Sequence, residues 1–279
     1  MRELRSEVIT DAVKHLCIKA NRILPDDVRR CIEAYREHED WLPAEKAMDC
    51  IIENYKIAEK ENIPICQDTG VACVFIELGQ NVHITGDIKK AINEGVRQGY
   101  LEGYLRMSMV SDPLRRENTT DNTPAMIYYN ITEGDTVKII VTPKGFGSEN
   151  MSRAAMLKPS DGVDGIKKFV LQTVEAAGAN PCPPVIVGVG IGGTFDKVTL
   201  LAKKALLRPA DDVNPDIWYA ALEDELLKSI NTLGIGPQGF GGRTTALSVK
   251  INVMPTHIAG LPVAINFNCH AARHMSVEI

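Results

Sequence analysis

Residues 65–70 read ICQDTG and run straight into VACVFIEL at 71–78. The second run is short, continuously apolar and rich in valine, which predicts a buried strand. Cys66 stands at the mouth of that strand, with Gln67 and Asp68 beside it and a turn at Thr69-Gly70. A structural cysteine sits inside an apolar element as a small hydrophobe. This one sits at a junction between loop and strand, where function tends to be mounted.

Outward from that junction, the first sixty residues read as three helices. SEVITDAVKHLCIKANRIL has apolar residues at helical spacing with Ser6 as its expected N-cap. LPDDVRRCIEAYREHED follows, and Pro43 suits the first turn of LPAEKAMDCIIENYKIAEKEN. Beyond the junction, GDIKKAINEGVRQGYLEGYLR predicts a helix ending near Arg106, and SDPLRRENTTDNTPA is too rich in turn formers to be regular. AMIYYNIT and DTVKIIVTP are strands joined by Glu133-Gly134-Asp135, a hairpin signal. The loop KGFGSEN and the helix DGVDGIKKFVLQTVEAAG come next. Strand PVIVGVGIGG, helices FDKVTLLAKKALL and PDIWYAALEDELLKSINTLG, and strands TALSVKINVMP and LPVAINFN complete the chain. Hairpin and strand–helix alternation together predict a mixed α/β (α+β) fold. The expected organisation is a helical lobe over 1–60 and a mixed sheet region with flanking helices over 61–279.

Composition narrows the class. The 279 residues are 44% hydrophobic and 24% charged, as in ordinary globular proteins. A net charge of -5 argues against a nucleic-acid binder. No stretch approaches the roughly 20 apolar residues of a membrane span, and MRELRSEVITDAV lacks the apolar centre of a secretory signal. The expected location is the cytoplasm, where thiols stay reduced. Seven widely spaced cysteines with no C-x-x-C pair do not form a disulfide framework or a zinc ribbon.

Cys17, Cys31 and Cys50 fall within the first three helices and read as core filling, and Cys73 alternates within its strand. Cys66, Cys182 and Cys269 differ. They lie in ICQDTG, NPCPP and NFNCHAARH, loops rich in Pro, Gly, Asn or charge beside a strand. Three thiolates from distant parts of a chain suit an iron–sulfur cluster better than zinc. A four-iron cubane then keeps one iron without a protein ligand, open as a Lewis acid for a substrate oxygen.

The motifs ICQDTG, LRMSMVSDPLRRENTTDNTPA, PKGFGSEN, NPCPP, GIGGT, GIGPQGFGGRTTAL and PTHIAGLPVAINFNCHAARH occur in that order. From about residue 40 onward the chain resembles the class I (iron–sulfur) fumarate hydratases and their relatives, the L(+)-tartrate dehydratases. It resembles the alpha chain of the two-subunit form. The resemblance implies a [4Fe-4S] cluster held by Cys66, Cys182 and Cys269, with one iron not ligated by protein. It also implies reversible hydration of fumarate to L-malate, a tricarboxylic acid cycle step, with L(+)-tartrate dehydration as the alternative. A separate beta subunit in an α2β2 assembly is implied too.

Residues matching the family's substrate positions follow. Arg106 offers a planar fork suited to a carboxylate, whereas Arg115 and Arg116 read as solvated loop residues. Gly145 would bring backbone N–H groups close to an anion, although many members have glycine where this chain has Phe146. Gln67 and Asp68 are placed to reach what binds the open iron, and Asp68 is the candidate acid or base for the hydroxyl. His257, twelve residues ahead of Cys269, matches a histidine that hydrogen-bonds the substrate. No residue stands out as the carbon base. Two other readings remain. His270 and His274, at i and i+4, would share one face of a helix as zinc ligands do. The glycines of VIVGVGIGGTFDKV suggest a nucleotide phosphate loop but miss the G-x-G-x-x-G register.

Overall fold

A computed structural model describes residues 1–279. The first half of the chain runs β1 (Arg2–Arg5), α1 (Ser6–Arg22), α2 (Asp26–Glu37), α3 (Leu42–Glu61), β2 (Val71–Gly79), β3 (Val82–Thr85), α4 (Ile88–Glu102), β4 (Met126–Thr132) and β5 (Val137–Lys144). The second half runs α5 (Phe146–Glu149), β6 (Arg153–Leu157), α6 (Gly162–Ala177), β7 (Val185–Gly192), α7 (Phe195–Ala205), α8 (Ile217–Asn231), β8 (Ala246–Met254), β9 (Leu261–Asn268) and β10 (Met275–Glu278). The fold is mixed α/β, as expected. No helix is long and apolar enough to cross a membrane.

Two compact units divide the chain. Unit 1 comprises residues 1–25, 55–145 and 273–279; unit 2 comprises 26–54 and 146–272. Within the helical stretch 1–60, residues 1–25 and 55–60 fall in unit 1 and 26–54 in unit 2.

In unit 1 the main sheet has the order β10-β5-β2-β4, and β1 pairs with β3 in a separate two-stranded ribbon. Val74 and Ile76 from β2 and Val137, Ile139 and Val141 from β5 form one core with Ile9, Val13, Ile92, Val96 and Tyr100 from α1 and α4. The expected hairpin does not form. β2 lies between β4 and β5, parallel to the first and antiparallel to the second. The physical reason is burial: β2 is buried along most of its length and takes the interior position, while half-exposed β4 takes the edge. The segment linking β4 to β5 bonds to the end of β2 instead, with Gln80 N–H on Thr132 O and Asn81 N–H on Gly134 O.

Unit 2 is built on the sheet β6-β9-β7-β8, in which β7 is parallel to β8 and antiparallel to β9. Val187 and Val189 of β7 face a core shared with α6 and α8, while α7 covers the opposite face, packing Val198 and Ala202 on Ala264 of β9. Gly188 and Gly190 point at α7. A Cβ on them would stand 2.3 Å from Ala202 O and 2.2 Å from Val198 O. These glycines therefore serve close helix–strand packing rather than a phosphate loop.

Several local expectations are corrected. Ser6 is the first helical residue of α1, preceded by Arg5 at the cap without a side-chain bond, because the chain enters the helix from strand β1. α4 ends at Glu102 rather than near Arg106, with Gly103 as its cap. Cys17 is buried as expected, but Cys31 is half-buried and Cys50 exposed, since both lie off the buried faces of their helices. Residues 269–274 form a turn and irregular chain, so His270 and His274 do not share a helical face.

Candidate active site

The Cys66–Gly70 loop of unit 1 is held by its carbonyls. Arg273 Nη2 donates to Asp68 O at 2.5 Å. The Tyr100 hydroxyl donates to Thr69 O at 2.7 Å and lies 3.0 Å from Gly70 O. Asn122 Nδ2 donates to Gly70 O at 3.1 Å. All three side chains are buried, so three successive peptide groups are fixed from beneath. Burial, above all, holds the Tyr100 hydroxyl well above its usual range and keeps it a donor.

With its carbonyls engaged, the loop carries the half-buried Cys66 and Asp68 and the exposed Gln67. Gly70 N–H bonds to Asp68 Oδ1 at 3.0 Å. The other oxygen, Oδ2, is 3.1 Å from where a Cβ on Gly145 would stand. A Cβ at 145 would crowd the Asp68 carboxylate, which would have to shift by a few tenths of an ångström. Thr69 draws in Arg106: its Oγ1 accepts from Arg106 N–H at 2.9 Å. The exposed Arg106 side chain therefore starts from a backbone tied to the same loop. Unit 1 brings together Cys66, Gln67, Asp68, Arg106 and Gly145.

In unit 2 the first cysteine loop precedes β7 and the second follows β9. Antiparallel pairing places Ile186 opposite Asn268, and His270 N–H bonds to Cys182 O at 3.3 Å. Cys182 and Cys269 therefore lie at the same end of the sheet. Cys182 is exposed with φ of 54°, a left-handed conformation that costs roughly 1 kcal/mol for a residue with a Cβ. Gln238 fixes the next residue through two bonds to Pro183 O, from its backbone N–H at 2.8 Å and its Nε2 at 2.7 Å.

His257 lies elsewhere. It follows β8, whose end at Met254 pairs with Gly192 at the far end of β7, and Thr256 Oγ1 donates to Gly193 O. Eight strand residues, about 25 Å, separate that end from the two cysteines. The exposed imidazole accepts from Ala259 N–H at Nδ1, which leaves Nε2 as the ring's other hydrogen-bonding nitrogen.

The family model described as "Fumarate hydratase (Fumerase)" matches residues 10–278. The chain belongs to this family. It is 46% identical over 272 residues to a Methanocaldococcus jannaschii protein named "Putative L(+)-tartrate dehydratase subunit alpha", covering 95% of each chain. It is 30% identical over 268 residues to the L(+)-tartrate dehydratase subunit alpha of Escherichia coli K12, covering 95% of this chain and 88% of that one. The Escherichia coli UTI89 counterpart is 29% identical over 274 residues, covering 97% and 90%.

As a member of the fumarate hydratase family the chain is a hydro-lyase, and its donor set fits an iron–sulfur group. The thiolate is the ligand form of cysteine. Burial pushes the Cys17 thiol up to about 12. Burial, with Asp211 and Asp27 adding to it, pushes Cys31 up to about 11. Those thiols stay protonated, whereas Cys66, Cys182 and Cys269 lie outside the core on polar loops. Sequence reasoning missed the residues that hold the loop. Asn122 sits in a passage read as irregular, yet it is fully buried and its Oδ1 accepts from Ser108 and Met109 N–H groups. An asparagine among turn formers was the only signal available.

Proposed function

We propose that this chain is the cluster-bearing alpha subunit of a hydro-lyase that reversibly hydrates fumarate to L-malate, acting in the reducing cytoplasm. The observation that carries the reading is the Cys66–Asp68 loop. In a member of the fumarate hydratase family, it presents a thiol, an amide and a carboxylate on a turn fixed by buried donors. Cys66, Cys182 and Cys269 would hold a [4Fe-4S] cluster with one iron lacking a protein ligand. When bound, that cluster supplies a Lewis acid for the substrate hydroxyl.

The chain's own residues do the rest. Arg106 binds a substrate carboxylate through two parallel N–H groups. Backbone at Gly145 approaches the same anion, and Gln67 orients it by hydrogen bonding. Asp68 holds or delivers a proton at the hydroxyl oxygen. His257 donates from Nε2 to the substrate. Its separation from Cys182 and Cys269 within unit 2 supports a role at the site of a second alpha chain, which an α2β2 assembly would supply. The relatives named as alpha subunits support a separate beta subunit, and the carbon base is assigned to that partner.

A second reading, dehydration of L(+)-tartrate, is favoured by the names of those relatives. One extra hydroxyl changes few contacts of a dicarboxylate pocket. The test is anaerobic reconstitution of the alpha chain with iron and sulfide, then assay of fumarate, L-malate, and L- and D-tartrate with and without the beta chain. Turnover of fumarate by the mixture alone supports the first reading. Turnover of L(+)-tartrate alone selects the second. Full activity of the alpha chain by itself removes the assignment of the base to the partner.

A further inference from the structure

The Arg273 guanidinium is an anomaly in unit 1. The residue is 4% exposed, its Nε is buried without a hydrogen-bond partner, and its Nη2 meets a carbonyl, Asp68 O, rather than a carboxylate. A buried guanidinium without a counter-charge is unfavourable. If Asp68 O needed only a donor, a neutral side chain would serve. The arginine is itself firmly seated: its carbonyl accepts from Thr142 Oγ1 at 3.0 Å. Thr142 lies on β5, the strand that ends at Lys144 immediately before Gly145. One strand thus supports both the arginine beneath Asp68 and the glycine beside its carboxylate.

We propose that Arg273 is a positioning residue, which fixes the Asp68 peptide and so the place of its carboxylate. The inference rests on the hydro-lyase reading above for its kinetic consequence and on the geometry alone for its structural one.

The test uses the reconstituted alpha–beta complex carrying Arg273→Met or Arg273→Lys. Arg273→Met keeps bulk without charge or donor. It is expected to lower kcat by about 100-fold, the cost of a displacement of about 1 Å at a reacting group, with KM changed less than about threefold and iron content and melting temperature held. Arg273→Lys restores charge and one donor, and should recover about tenfold of that loss. Hydrogen–deuterium exchange on the full alpha chain should show faster exchange at residues 66–70 in Arg273→Met alone. Wild-type kcat in the Met variant, or a kcat loss that only tracks lost iron or lost fold, overturns the proposal. Unchanged exchange at 66–70 overturns it too. Should the wild-type complex turn over no dicarboxylate, the functional reading fails, while the exchange experiment still decides the role of Arg273.

Discussion

The two units carry their candidate site residues in opposite ways. In unit 1 the Cys66–Gly70 loop is held by side chains, with Arg273, Tyr100 and Asn122 reaching its carbonyls from separate parts of the chain. In unit 2 the cysteine loops extend the sheet, and mainly backbone bonds hold them: Cys182 N–H to Ala179 O, Gln238 N–H to Pro183 O, and His270 N–H to Cys182 O. A loop held by side chains is vulnerable to truncation at a distance. A loop held by backbone tolerates such truncation and is sensitive instead to the conformation of its own residues.

The largest effect tests whether both kinds of loop serve one cofactor. Cys66→Ser, Cys182→Ser and Cys269→Ser should each bring reconstituted iron from about four per chain to near zero, because a hydroxyl is a poor iron ligand. Cys17→Ser and Cys73→Ser should leave iron content unchanged. Full iron content in the Cys182 variant would dismiss the ligand set.

Next comes the separation of His257 from the cysteines. His257→Ala should lower kcat by about 10²–10³-fold. Co-assembly of His257→Ala chains with Cys182→Ser chains should then restore about a quarter of the sites, since half the pairs are mixed and each has one complete site. No recovery in mixed assemblies would place the histidine's action within its own chain.

Gly145→Ala asks how tightly unit 1 is built. Its Cβ would press on Asp68 Oδ2 and should cost about 10- to 100-fold in kcat with little change in melting temperature. Asn122→Ala removes three hydrogen bonds from a buried position with φ of 59°. A loss of about 3 kcal/mol is expected by denaturant titration, given the cost of unsatisfied buried groups. A loss under about 0.5 kcal/mol, the range of surface substitutions, would mean that the loop does not depend on it.

The smallest effect belongs to unit 2 and has the opposite sign. Cys182→Gly relieves the left-handed backbone at that position, and should raise the stability of the metal-free chain by about 0.5–1 kcal/mol. The same substitution abolishes cluster assembly. Stability retained only with cysteine would mean that the side chain, not the backbone, holds the loop.

How much of this was legible beforehand follows from the range of the forces involved. The six longer segments read as helices or strands in the second half, and the three opening helices, depend on the local period of apolar residues. Short β1, β6 and β10 have little such period, and their partners lie far away in sequence. The hairpin expected at Glu133–Asp135 failed because a turn signal is local, whereas strand order follows from which strand must be buried on both faces. For the site, cysteines in polar loops were visible as such, while the donors beneath the Cys66 loop looked like ordinary core or loop residues.

The sequence by itself determined the family, through motifs in fixed order, and which cysteines lie in loops beside strands. Reading exposure from helix position failed only where Cys31 and Cys50 lie off the apolar stripe. Tertiary structure alone decided that β2 separates β4 from β5, that His257 and Cys182 stand at opposite ends of β7, and that a buried arginine at 273 reaches Asp68. The reason is physical. Hydrophobic periodicity and turn chemistry act over a few residues, but strand order, sheet ends and the partners of buried polar groups depend on contacts across as many as 205 positions of chain.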